Sequence, residues 1–180
     1  MKPIVLVPNP VLTSPAAPVT TFDRSLTTLL THMHETLIAT VDPKGVGLAA
    51  TQVGVGLRVF ITKPTAKAAI RDFINPVIVR TSDKKTDGIP ERENKLEGCL
   101  SIPKIWGNVH RATSLTLRYQ DPKGETHEEE FTGFLATIIQ HETDHINGIL
   151  FTQRVLEQKE KLYQILPDED GKEVLDEIKI

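Results

Sequence analysis

Two histidines four positions apart, with a glutamate directly after the first, stand at His141-Glu142-Thr143-Asp144-His145. On an α-helix, residues four apart lie one turn above each other on one face, so both imidazoles can reach a single cation. Glu142 sits beside that face and can reach a water on the cation. A carboxylate there suits amide hydrolysis: it takes a proton from an attacking water and later gives it to a leaving nitrogen. The plainer reading is a helix with two surface histidines and a solvated glutamate, and a five-residue pattern does not decide alone. Its surroundings favour the metal. Phe134, Leu135, Ile138 and Ile139 make the preceding turns apolar, so the helix is expected to be buried, where charged groups need a partner.

A catalytic metal needs a third protein ligand and an open position. The extended protease pattern would put a third histidine at 151, where Phe151 stands, and Glu157 and Glu160 follow too closely to fold back. Cys99, the only cysteine, is the strongest remaining candidate; the alternative is a small buried apolar residue, the usual fate of a free thiol. Its neighbours Glu97-Gly98-Cys99-Leu100-Ser101-Ile102-Pro103 suggest a tight backbone path that could aim a thiolate and a backbone N–H at one point.

Three segments together resemble peptide deformylase. Gly45-Val46-Gly47-Leu48-Ala49-Ala50-Thr51-Gln52 matches the family's Gly-x-Gly-x-Ala-Ala-x-Gln, Glu97–Ser101 its Glu-Gly-Cys-x-Ser, and Gln140–Gly148 its Gln-His-Glu-x-Asp-His-x-x-Gly. Their order and spacing agree over nearly the whole chain. The resemblance implies that Cys99, His141 and His145 hold one divalent metal ion, usually Fe2+, with Zn2+, Ni2+ or Co2+ able to replace it. It implies that Glu142 is the general acid/base, and that Gln52 and the Leu100 N–H are oxyanion donors. It also implies that Val46, Gly47 and Gly98 hold an extended peptide by its backbone. The implied reaction is hydrolysis of the formyl group from N-formylmethionyl peptides, nascent chains at the ribosome, with release of formate. Bacterial members often carry an arginine where Trp106 stands, a departure that bears on substrate preference.

Phe134, Thr137 and Ile138 lie seven, four and three residues before His141, on or beside its face. They can line a pocket for the first side chain or be plain core. Glu97, Arg111 and Asp144 can form a charge network orienting the ligands, or a solvated surface. Two rival functions remain: a metallo-endopeptidase on the same helix, and a non-catalytic relative that keeps the scaffold.

The elements that must position these residues are partly visible. Phe22, Leu26, Leu29, Leu30, Met33, Leu37, Ile38 and Val41 recur at helical spacing, with Thr20 or Thr21 as cap and Asp42-Pro43-Lys44-Gly45 as terminator. Strands are predicted at 58–62, at 73–81 with a kink at Pro76, and in a hairpin of 114–119 and 127–131. A second helix runs from Thr132 or Gly133 to about Asn147, stopped by Gly148. Residues 82–94 read as a mobile loop. The tail 153–165 has helical character, 167–171 breaks it, and the last residues form a short helix or fray.

The fold expected is α+β: antiparallel sheets around a central helix bearing the HExxH site, with an N-terminal amphipathic helix, in one domain over residues 1–180. A net charge of −3 leaves no basic excess for nucleic acid. No apolar run approaches the roughly 18 residues of a membrane span. No targeting segment is visible, and a lone cysteine fits a reducing, cytoplasmic setting.

Overall fold

The computed structural model describes residues 1–41, 44–91, 95–167 and 172–179. Helix α1 spans Arg24–Ala39. Its cap is Asp23, not Thr20 or Thr21: the Asp23 carboxylate accepts the N–H groups of Ser25 (2.8 Å) and Leu26 (3.2 Å), satisfying two donors that the first turn leaves open. Leu26, Leu29, Leu30, Met33 and Leu37 are buried, but Ile38 and Val41 are not; they are 62% and 78% exposed. The apolar stripe is therefore narrower than the run of apolar letters. The helix ends at Ala39, and the predicted terminator residues Asp42 and Pro43 lie outside the described residues.

Five strands make one antiparallel sheet in the order β1-β2-β3-β6-β7. They are β1 (Gly47–Ala49), β2 (Val59–Thr62), β3 (Arg71–Thr81), β6 (Ser114–Gln120) and β7 (Thr126–Thr132). Four more form a second sheet in the order β4-β5-β8-β9: β4 (Glu97–Cys99), β5 (Ile102–Gly107), β8 (Leu162–Pro167) and β9 (Glu173–Glu177). The register of β3 against β6 slips between Ile74 and Val77, because Pro76 has no N–H for the ladder. The hairpin β6–β7 alternates as its sequence does, with Leu115, Leu117 and Tyr119 buried.

Helix α2 (Gly133–Ile146) packs on β1, β2, β6 and β7. Ala136, Ile139 and Ile146 join Phe60, Phe73, Leu117 and Phe131 in one cluster. Gly148 stops the helix with φ +75°; a β-carbon there would sit 2.9 Å from the backbone of Thr13 and Ser14, so glycine is required twice over. Helix α3 (Phe151–Glu157) follows.

The structure corrects the reading of the tail. Only residues 151–157 are helical; the rest of 153–165 turns at Gln158-Lys159 and enters β8. Glu173–Glu177 form strand β9, not a helix, with residues 178–179 following it outside any element, while 168–171 lie outside the described residues. The segment 82–91 is not loose: Ser82 N–H binds Ser114 C=O (3.0 Å) and Thr86 N–H binds Arg111 C=O (2.8 Å). Residues 92–94 lie outside the described residues.

Candidate metal centre

The two sheets meet at one cavity. Val46 and Gly47 border it from β1 and the residue before it, and Glu97, Gly98, Cys99 and Leu100 from β4 and the turn after it. Both β1 and β4 are edge strands of their sheets. Lys44, Gly45, Gln52, Ile89, Trp106, Phe134, Thr137, Ile138, His141 and Glu142 complete the wall. The expected ligands Cys99 and His141, Glu142, the expected oxyanion donors and the expected peptide-binding and pocket residues all line this space; His145, 1% exposed, and Arg111 and Asp144 of the expected charge network are buried outside its lining.

Cys99 Sγ, His141 and His145 offer three donor atoms within 4.8 Å of one another, and Cys99 Sγ lies 3.2 Å from His145 Nε2. Metal bonds of about 2.0–2.3 Å on a tetrahedron separate ligands by roughly 3.5 Å, so the set fits a cation. One sulfur and two nitrogens also leave a fourth position open. His141 Nδ1 faces Glu97 Oε1 at 2.6 Å. That bond keeps the ring proton on Nδ1 and turns Nε2 to the cavity. Burial would lower the His141 pKa, but the Glu97 carboxylate outweighs it and holds the pKa well above the ordinary value. Burial pushes His145 well below its ordinary value, so its ring is neutral.

Glu97 is itself anchored. Arg111 donates Nε–H to Glu97 Oε2 (2.8 Å) and Nη2–H to Oε1 (2.6 Å), and its Nη1–H reaches Asp144 Oδ2 (2.9 Å). Burial would raise the Glu97 pKa, yet Arg111 and His141 hold it far below the usual carboxylate range. The network suggested by the sequence is thus assembled, and it has a member the sequence did not reveal. Arg154 of α3 donates to Asp144 Oδ1 at 2.7 Å. Glu157 and Glu160 are engaged elsewhere, with Arg154 and His110. Replacing Arg111 by Met should cost about 3–5 kcal/mol, the usual penalty for leaving buried charge uncompensated. Denaturant unfolding of the two proteins measures it; a loss under 1 kcal/mol would mean that the network contributes little to stability.

Glu142 is 3% exposed, and its Oε2 has no hydrogen-bond partner among the described residues. Burial lifts its pKa to about 7, a range in which a carboxyl can both take and give a proton near neutrality. Gly47 packs against it: a β-carbon there would collide with the carboxylate and lie 2.8 Å from Ile138 Cγ2. In the β1–β2 ladder the Val46 carbonyl accepts the Lys63 N–H at 2.7 Å. By the alternation of an antiparallel pair, the N–H and C=O of Gly47 then face outward from β2.

Gln52 lies in a 3-10 turn, Ala50–Val53, directly after β1. Its Oε1 accepts the Ala49 N–H at 2.9 Å, which turns Nε2 toward Cys99 Sγ (3.6 Å) and Ser101 Oγ (3.3 Å). The N-terminal segment ties the back of this region, with Val5 N–H on Gln52 C=O (2.8 Å) and Val7 N–H on Ser101 C=O (3.1 Å). Ser101, fully buried, is visible in the sequence only as part of the Glu-Gly-Cys-x-Ser motif, with no role of its own.

A helix that presents two imidazoles and a carboxylate to a buried thiol defines a class, the metal-dependent hydrolases built on an HExxH helix. Comparison makes the class particular. A family model described as Polypeptide deformylase matches residues 1–161. Peptide deformylase of Rhizobium meliloti (strain 1021) is 38% identical over 162 residues, 88% of this chain and 87% of that protein. Peptide deformylase 1 of Bacillus cereus is 41% identical over 152 residues, 84% and 90% of the two chains. The crystal structure of peptide deformylase from Thermotoga maritima superposes with a TM-score of 0.76 at 36% identity, covering 86% of this chain and 97% of that one. The chain belongs to the peptide deformylase family, and is a metal-dependent hydrolase.

Proposed function

We propose that the chain hydrolyses the formyl group from N-formylmethionyl peptides, nascent chains at the ribosome, in the cytoplasm, as one catalytic domain. The observation that carries the substrate class is the pair of sheet edges on one cavity: β1 at Gly47 and β4 at Gly98 border it, and each is the outermost strand of its sheet. An extended chain laid between them pairs as an added strand. Val46 borders the same path.

Cys99, His141 and His145 hold the metal. A thiolate with two imidazoles suits Fe2+, the ion proposed here, and equally accommodates Zn2+, Ni2+ or Co2+. When bound, the cation supplies Lewis acidity, which brings the pKa of water toward neutrality and polarises a carbonyl. Glu142 takes the proton from the attacking water and returns it to the departing amine nitrogen. The Gln52 amide N–H and the Leu100 N–H receive the charge that develops on the formyl oxygen. Phe134, Thr137 and Ile138 form the pocket for the methionine side chain. Formate and a free amino terminus result.

The test is formate release from a formyl-Met peptide beside its unformylated counterpart, with metal analysis of anaerobically purified protein. Cleavage of an internal peptide bond without formate would favour an endopeptidase instead. Replacing Gln52 by Leu should lower kcat by about 10²–10³, the scale for one oxyanion donor, with a smaller change in KM. A raised KM at unchanged kcat would assign Gln52 to ground-state binding.

A further inference from the structure

Trp106 is the only tryptophan in the chain. It stands on β5 opposite Gly98 of β4. A β-carbon on Gly98 would meet indole carbons Cε3 and Cζ3 at 2.8 Å, so the benzenoid ring covers the bare glycine. The half-buried indole also lines the cavity.

Strand alternation fixes which side of the cavity this is. Glu97 and Gly98 point to opposite faces of β4. Glu97 reaches Arg111 and His141, so its face is the one toward α2. Gly107, paired with Glu97, looks at Val155 of α3 on that same face. Gly98 and Trp106 therefore share the opposite face. A peptide extended along β4 alternates in the same way. With its first side chain among Phe134, Thr137 and Ile138, its second is carried to the Trp106 side.

We propose that Trp106 sets specificity for the second residue of the substrate, favouring apolar and above all aromatic side chains that lie against the indole. This rests on the deformylase reading of the site and extends it by one residue. The competing role is purely architectural: an aromatic ring placed across a glycine steadies the strand pair. Substrate preference separates the two roles.

The experiment compares kcat/KM for two formylated tripeptides that differ only at the second position, Met-Phe-Ser and Met-Ser-Ser. The parent protein should prefer the phenylalanine peptide by about tenfold, from apolar burial plus ring–ring contact. Trp106→Ala should bring the ratio near one, and Trp106→Phe should keep most of it. An architectural role would lower both peptides equally and leave the ratio unchanged, which overturns the proposal. Should Trp106→Ala fail to fold, the parent's single tryptophan reports directly. Its emission should shift when deformylated Met-Phe-Ser saturates the site, and much less with Met-Ser-Ser. Equal shifts, or none with either peptide, would overturn the proposal. Efficient turnover of both peptides without preference overturns only the role of Trp106; no formate from either overturns the deformylase reading itself.

Discussion

Glu142→Gln protein is expected to bind metal as the parent does and to release formate about 10²–10⁴ times more slowly, the range supplied by a positioned acid–base group. The reasoning is local. Gln has the shape of Glu, so the tight contact with Gly47 and Ile138 is kept. The three ligand side chains, Cys99, His141 and His145, are untouched. Oε2 of Glu142 has no protein partner among the described residues, so the exchange breaks no described hydrogen bond at that atom. What disappears is the capacity to take and return a proton. Metal content and formate release on the same preparation check both halves. Turnover within a few-fold of the parent would remove Glu142 from the acid–base role.

Cys99→Ser should weaken metal affinity by more than about 100-fold, beyond the 10–100-fold usual for losing an outer partner of a ligand. Activity should fall with it. Sulfur is the soft, strongly donating member of the set, and a hydroxyl is neither soft nor ionised at neutral pH. The fold should survive, since the change is small and Cys99 sits at the rim of a cluster with Ile102, Val109, Phe151 and Val155. Circular dichroism should match the parent while metal titration does not. A variant that kept its metal and worked normally would remove Cys99 from the ligand set.

Much of the frame was legible because it is long and periodic. Helix α2 repeats apolar residues at helical spacing (Ala136, Ile139, Ile146) and has a glycine stop, and β6–β7 alternates over seven residues on each side of a tight turn. Strands β1 and β4, which border the cavity, have three residues each. No period can be read from three residues; only motif content marked those segments. The tail misled because the turn between α3 and β8 has no glycine or proline. Lys159 takes φ +59° there, a conformation its residue type does not advertise. Asp23 displaced the threonines as cap because its carboxylate reaches two N–H groups at once. Arg154 is not legible in the sequence for a different reason. Its role depends on where α3 lands relative to Asp144, and spacing along the chain does not encode that. Cys99 and His141, by contrast, were linked through chemistry: a metal site demands a third ligand, and few residue types could supply one.

The two sheet edges have a consequence for timing. They lie in a recess walled by α2 and the indole, so another folded sheet cannot dock against them, and the usual hazard of unpaired edges is contained. What can enter is a single strand with a free end. A protein whose amino terminus has already been taken up into its own helix or sheet offers no such strand. Deformylation by this fold is therefore a race against the substrate's own folding, won while the first residues are still loose.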